Sequence, residues 1–135
     1  MPAKDKIHDN VIRALRRDKW QVTGEQIAIV LPGRRLWIDI RAEKPSEQRA
    51  ILVEVKSFAN VLSPVEYLAA IVGKYVLYQN SLSFLDIKLP LYLAVPESAY
   101  NGILSEIIGQ QAILSARIRL LVVNPKSEEI ILWQH

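Results

Sequence analysis

The sequence predicts a mixed α/β fold, a central sheet flanked by helices, on three observations. Helix-like and strand-like segments follow the order α-β-β-β-α-β-α-β-β. The segment 89–95 is apolar almost throughout, which suits a strand buried on both faces in the middle of a sheet. Segments 34–43 and 50–57 alternate apolar and polar residues around a short polar connection, the pattern of a half-buried hairpin. With 135 residues, the chain is long enough for one sizeable core and too short for two, so one domain spanning 1–135 is expected.

Residues 5–19 read as an amphipathic helix, with Ile7, Val11, Ile12, Ala14 and Leu15 on one face and Arg13, Arg16, Arg17 and Lys19 on the other. Strand-like segments follow at 20–23 and 26–31, and Pro32-Gly33 signals a turn. In segment 34–43, Leu36, Ile38 and Ile40 point one way and Trp37, Asp39 and Arg41 the other. In segment 50–57, Ile51, Val53 and Val55 share one face, and Leu52, Glu54 and Lys56 the opposite one.

Ser63-Pro64-Val65-Glu66 is a capping box with proline at the first helical position. The helix it opens is expected to bury Val65, Leu68, Ala69, Val72 and Val76. A further helix is expected over 98–108. Strands at 118–123 and 129–133 join through Asn124-Pro125.

Composition excludes several function classes. Half of the residues are hydrophobic, so a folded chain is expected. No apolar run reaches the roughly 18 residues of a membrane span. The first residues alternate charge and lack an apolar signal core, so a cytoplasmic location is expected. The absence of cysteine removes disulfides and thiolate metal sites, and two histidines alone do not make a zinc site. Residues 1–35 carry eight Lys/Arg against four acids, whereas the rest carries nine basic and ten acidic groups. Arg13, Arg16 and Arg17 are therefore candidate phosphate contacts, although the same residues read equally well as a solvated helix face.

The hairpin carries the chemistry. A symmetric register about the loop pairs Lys44 with Arg49 and so sets Asp39 opposite Glu54, with both carboxylates on one face. Directly opposed like charges destabilise a sheet by roughly 0.2–1 kcal/mol. A bound cation reverses that sign. Two carboxylates and a nearby backbone carbonyl such as that of Val55 suit Mg²⁺ or Mn²⁺, which take hard oxygen ligands. Lys56, two residues beyond Glu54, can then act on developing charge. This is equipment for phosphodiester hydrolysis. The plain alternative is a surface carboxylate pair relieved by Lys56 and Arg41. Lys74, next to Gly73, reads either as a further cation at the site, against phosphate, or as a surface lysine. His8 reads as a structural or surface residue before it reads as a ligand, Glu43 as a solvated strand-end acid, and Trp20, Tyr75, Tyr78 and Trp133 as packing residues.

The stretches AKDKIHDNVIRALRRDKWQVT, WIDIRAEK, ILVEVKSF, GKYVLY, LYLAVPESAY and IRLLVVNPKSEEIILW cover nearly the whole chain. Together they resemble the XisH family, the fdxN element excision controlling factors, within the PD-(D/E)XK nuclease superfamily. The resemblance implies a restriction-endonuclease-like core. In it Asp39 is the first acid of the motif, Glu54 the second and Lys56 its lysine. It also implies a role in excising a DNA element, DNA as a partner and a small XisI-like companion protein; a homodimer is a further expectation. Two departures stand out. Lys74 occupies the place where the family usually carries Gln, and Arg41-Ala42-Glu43 stands where Gly-Ala-Glu is expected. Two function classes follow: a Mg²⁺- or Mn²⁺-dependent endonuclease-like factor, and a catalytically degenerate accessory factor that binds DNA or protein during site-specific recombination.

Overall fold

The computed structural model describes residues 4–135. The Asp5 carboxylate accepts the Ile7 N–H at 3.1 Å and starts the chain into α1 (His8–Arg17). Helical spacing puts Val11, Ile12, Ala14 and Leu15 of α1 on the sheet. Full burial of such a side chain stabilises the fold by roughly 1.5–3 kcal/mol. Trp20 follows the helix and packs in the core beside Trp133.

The two strand-like segments expected over 20–31 form one strand, β1 (Gln21–Leu31), in which an irregularity between Val22 and Gly24 absorbs the break in pattern. Gly33, at φ +75°, closes the turn into β2 (Arg34–Lys44). A 3-10 turn over Pro45–Glu47 leads to β3 (Arg49–Val55). The Ser63 hydroxyl caps α2 (Pro64–Phe84) by accepting the Glu66 N–H. β4 (Leu91–Pro96), β5 (Arg119–Asn124) and β6 (Glu129–Gln134) complete a six-stranded sheet ordered β1-β2-β3-β4-β5-β6. β3, β4 and β5 run parallel; the remaining neighbours are antiparallel.

Helices cover both faces. α1 packs on Ile40, Ala42, Ile51, Val53, Val55, Tyr92 and Ala94. α2 and α4 (Ile107–Ser115) pack on Ile38, Leu52, Leu91, Leu93, Val95, Leu120 and Val122. β4 is thus buried on both faces, as its apolar run predicts. No helix of the described residues is long and apolar enough to cross a membrane.

Three expectations need correction. The helix expected over 98–108 is instead a single turn, α3 (Glu97–Tyr100), a 3-10 turn at Ile103–Ser105, and then α4. α4 lies so close on the preceding turn that a β-carbon at Gly109 would sit 2.2 Å from the Ile103 carbonyl oxygen. The buried face of α2 is Leu68, Ile71, Tyr75, Tyr78 and Leu82, while Val65, Ala69 and Val76 are exposed. Apolar residues ring much of this helix, so spacing alone does not select the face. Ile38 and Ile40 join opposite faces of the sheet, although strict alternation would keep them together. The strand changes face at Asp39, where its ladder to β3 ends.

Candidate functional site

Asp39 and Glu54 are the only buried acids among the described residues, at 8% and 4% exposure, in a chain with fourteen Asp and Glu. Burying a carboxylate is unfavourable unless it is paired or hydrogen-bonded, so local geometry must compensate. The β2–β3 ladder follows the predicted register from Lys44↔Arg49 to Ile40↔Val53. Beyond that pair the side chains take over from the backbone. The Asp39 N–H donates to Glu54 Oε1 at 3.0 Å, and the Val55 N–H donates to Asp39 Oδ2 at 2.7 Å. Each carboxylate thus satisfies a main-chain donor at the residue where the strands part.

These two bonds do not fully compensate the charge. Burial, followed by the Asp39 charge, pushes the Glu54 carboxyl up to about 7, while the charges of Lys74 and then Lys56 pull it down. Lys74 Nζ lies 3.5 Å from Glu54 Oε2 and 5.2 Å from the centre of the Tyr78 ring. Burial lowers the Lys74 pKa, but Glu54 and Tyr78 outweigh it and leave the ammonium above its ordinary value.

Lys56 follows directly on β3, its N–H bound to the Ala94 carbonyl. It is half-buried and makes no ion pair within 4.0 Å among the described residues. Asp5 is the contributor that sequence reasoning missed: its Oδ2 accepts the Ser57 N–H at 3.1 Å, which ties the start of α1 to the residue after Lys56. The signal available was an Asp just ahead of a helical pattern, the residue type that takes free N–H groups there.

A divalent cation fits this arrangement. Asp39 Oδ2 and Glu54 Oε1 are committed to backbone amides. Asp39 Oδ1 and Glu54 Oε2 remain as hard oxygen donors of the kind Mg²⁺ and Mn²⁺ take. Burial first, and the Asp39 charge second, raise the Glu54 carboxyl against the pull of Lys74 and Lys56.

Other sequence candidates lie elsewhere. Arg13 Nε pairs with Glu128 at 2.7 Å, and Arg17 donates to the Ser127 carbonyl, so both hold the β5–β6 turn. Arg16 is exposed. These residues lie five to nine positions beyond His8, the first residue of α1, or about 8–14 Å along the helix axis from the end that leads to Asp5. Arg41 pairs with Glu43 at 2.8 Å and not with the buried acids. No heavy atom comes within 4 Å of a β-carbon built on Gly73, so this glycine does not serve a close backbone approach. His8 is buried, with Nε2 2.9 Å from Glu25 Oε1, and forms with Asp9 and Glu25 a second cluster of metal-ligating type. The Lys4 ammonium lies 3.5 Å from Asp9 and 3.8 Å from Glu25 and already supplies that cluster with a cation.

Comparison with known proteins adds a family context. A family model described as XisH protein matches residues 1–131. The fold is similar to the crystal structure of an XisH family protein from Nostoc punctiforme, at 30% identity and a TM-score of 0.88, over 97% of this chain and 100% of that one. It is equally similar to a fdxN element excision controlling factor protein from Anabaena variabilis, at 30% identity and a TM-score of 0.89, over 98% of this chain and 100% of that one. No curated protein matches the chain.

Proposed function

The chain belongs to the XisH family, and on that premise we propose that it is a metal-dependent, PD-(D/E)XK nuclease-like factor acting on DNA during excision of a DNA element. The observation that carries the reading is the crossing of Asp39 and Glu54, the two buried acids, with Lys56 two residues beyond. A mixed sheet with an acid on β2, then an acid on β3 and a lysine directly after that strand, supports a restriction-endonuclease-like core over the described residues. The similarity to a fdxN element excision controlling factor supports the excision context.

In this reading Asp39, Glu54 and the Val55 carbonyl would hold Mg²⁺ or Mn²⁺. When bound, that ion supplies Lewis-acid polarisation and lowers the pKa of water. Lys56 presents its ammonium to the scissile phosphate, where negative charge develops. Asp5 fixes the Ser57 amide and so the backbone that carries Lys56. Arg16 and Lys74 are the proposed phosphate contacts, because Arg13 and Arg17 are engaged with Glu128 and the Ser127 carbonyl. Exposed Ile107, Ile108 and Leu114 on α4, with Ile131 and Leu132 on β6, offer apolar surface to an XisI-like companion or a second copy.

The test is calorimetric titration of Mn²⁺ into the wild type and Asp39→Asn, with plasmid nicking alongside. Binding and nicking that both vanish in the variant support the reading; a wild type that binds no divalent ion sinks it. One observation favours a second reading, a degenerate factor that binds DNA or protein without cutting: an ammonium already stands against Glu54. Salt-dependent DNA binding with no nicking in either metal would select it.

A further inference from the structure

Glu54 has one carboxylate oxygen held by a backbone amide and one left over. The leftover oxygen, Oε2, is the one that faces the Lys74 ammonium at 3.5 Å. The same atom is the donor that Glu54 would offer to a divalent cation.

We propose that Lys74 is a resident counter-cation that the divalent ion must displace from Glu54 Oε2, so that this one side chain sets how tightly the centre holds its metal. The inference rests on the metal-centre reading above and deepens it.

The geometry supports an exchange over a permanent ion pair. The Lys74 root is rigid. α2 is pinned to the sheet where the Tyr75 hydroxyl donates to the Leu91 carbonyl at 2.7 Å, and Leu68, Ile71 and Leu82 are buried around it. The Lys74 head is not rigid in the same way. Its contact with Glu54 is longer than a charge-assisted hydrogen bond of about 2.7–2.9 Å, and the side chain is 38% exposed while that of Glu54 is 5% exposed. A flexible stem with access to water lets the ammonium leave while the carboxylate stays. Tyr78, one helical turn on, offers its ring face to the ammonium as well.

Charge balance points the same way. Asp39 and Glu54 together carry two negative charges when ionised, and Lys74 touches only one of them. A divalent ion held by the two acids would match both charges. The released ammonium remains on the same helix face, one side-chain length away, where a DNA phosphate arriving at the centre can take it as a partner.

The experiment is Mn²⁺ titration by calorimetry on wild type, Lys74→Gln and Lys74→Arg, at one mildly alkaline pH. Removing the competitor should tighten Mn²⁺ binding about tenfold or more in Lys74→Gln, while Lys74→Arg, which keeps a cation there, should stay near wild type. Thermal melting supplies the second measurement. In EDTA, Lys74→Gln should melt below wild type, and saturating Mn²⁺ should raise its midpoint more than that of wild type. Equal Mn²⁺ affinity in wild type and Lys74→Gln overturns the exchange and leaves the metal centre standing, as does Lys74→Gln melting with wild type in EDTA. Failure of all three chains to take Mn²⁺ overturns the metal centre, and the exchange with it.

Discussion

Asp39 and Glu54 are joined through the backbone and not only through space: the Asp39 N–H donates to the Glu54 carboxylate, while the Asp39 carboxylate takes the N–H of the residue after Glu54. The two acids therefore close the end of the β2–β3 ladder and each keeps one oxygen free of a backbone amide. Asp39→Ala leaves the buried Val55 N–H without its acceptor, a loss of about 1–3 kcal/mol. Asp39→Asn keeps an oxygen there and discards the charge that crowds Glu54. Urea denaturation without metal should place the Asn variant above the Ala variant by that margin. Equal midpoints would mean that the Val55 bond contributes nothing to the fold.

Glu54 makes stability depend on pH in a stated direction. Its carboxyl has an ordinary value of 4.5 and is pushed to about 7 in the folded chain, first by burial and then by Asp39. Between those values the folded chain holds a proton that the unfolded chain has released, so raising the pH favours unfolding. The contribution is fully present below about 4.5, falls through the interval and is lost above about 7. Glu54→Gln removes the titrating group but keeps an oxygen for the Asp39 N–H. In metal-free buffer the stability of wild type relative to Glu54→Gln should decline as the pH passes through this window; a difference independent of pH would show that Glu54 titrates normally.

How much of this was legible in the sequence depends on how local the signal was. Lys44 and Arg49 flank a short polar loop, so the hairpin register could be counted outward to Asp39 and Glu54, and the observed pairs keep that register. The Ser63 cap and the two-faced burial of β4 were legible for the same reason. The buried face of α2 was not, because Val65, Ala69 and Val76 are as apolar as the residues that are buried. Nor was the change of face between Ile38 and Ile40, which follows from strands parting in three dimensions. Asp5 reaches the site through Ser57, fifty-two positions along the chain, and no sequence period records such a contact.

Lys56 separates metal binding from cutting. Its ammonium makes no ion pair among the described residues, and its charge reaches Glu54 more weakly than that of Lys74 does. Lys56→Ala should therefore leave Mn²⁺ affinity within a few-fold of wild type. If the chain nicks plasmid DNA, the same change should slow nicking by about 10²–10³, the usual effect of removing one group that meets developing charge. Nicking at the wild-type rate would remove Lys56 from the proposed machinery.

The arginines of α1 now divide into two kinds. Arg13 and Arg17 are engaged with Glu128 and the Ser127 carbonyl, so replacing either disturbs the turn between β5 and β6. The exposed pair of Arg13 with Glu128 is worth about 0–1 kcal/mol, a small change in denaturant midpoint. Arg16 is exposed and makes no ion pair among the described residues. If α1 meets DNA, Arg16 is the side chain free to displace a counterion. Arg16→Ala should then lower the slope of log affinity against log salt by about one while leaving the denaturant midpoint unchanged. Arg13→Ala and Arg17→Ala should move the midpoint more than the slope. Fluorescence anisotropy with labelled duplex DNA across a salt series reads the slope directly. A slope that Arg16→Ala leaves untouched assigns the basic face of α1 to solvent.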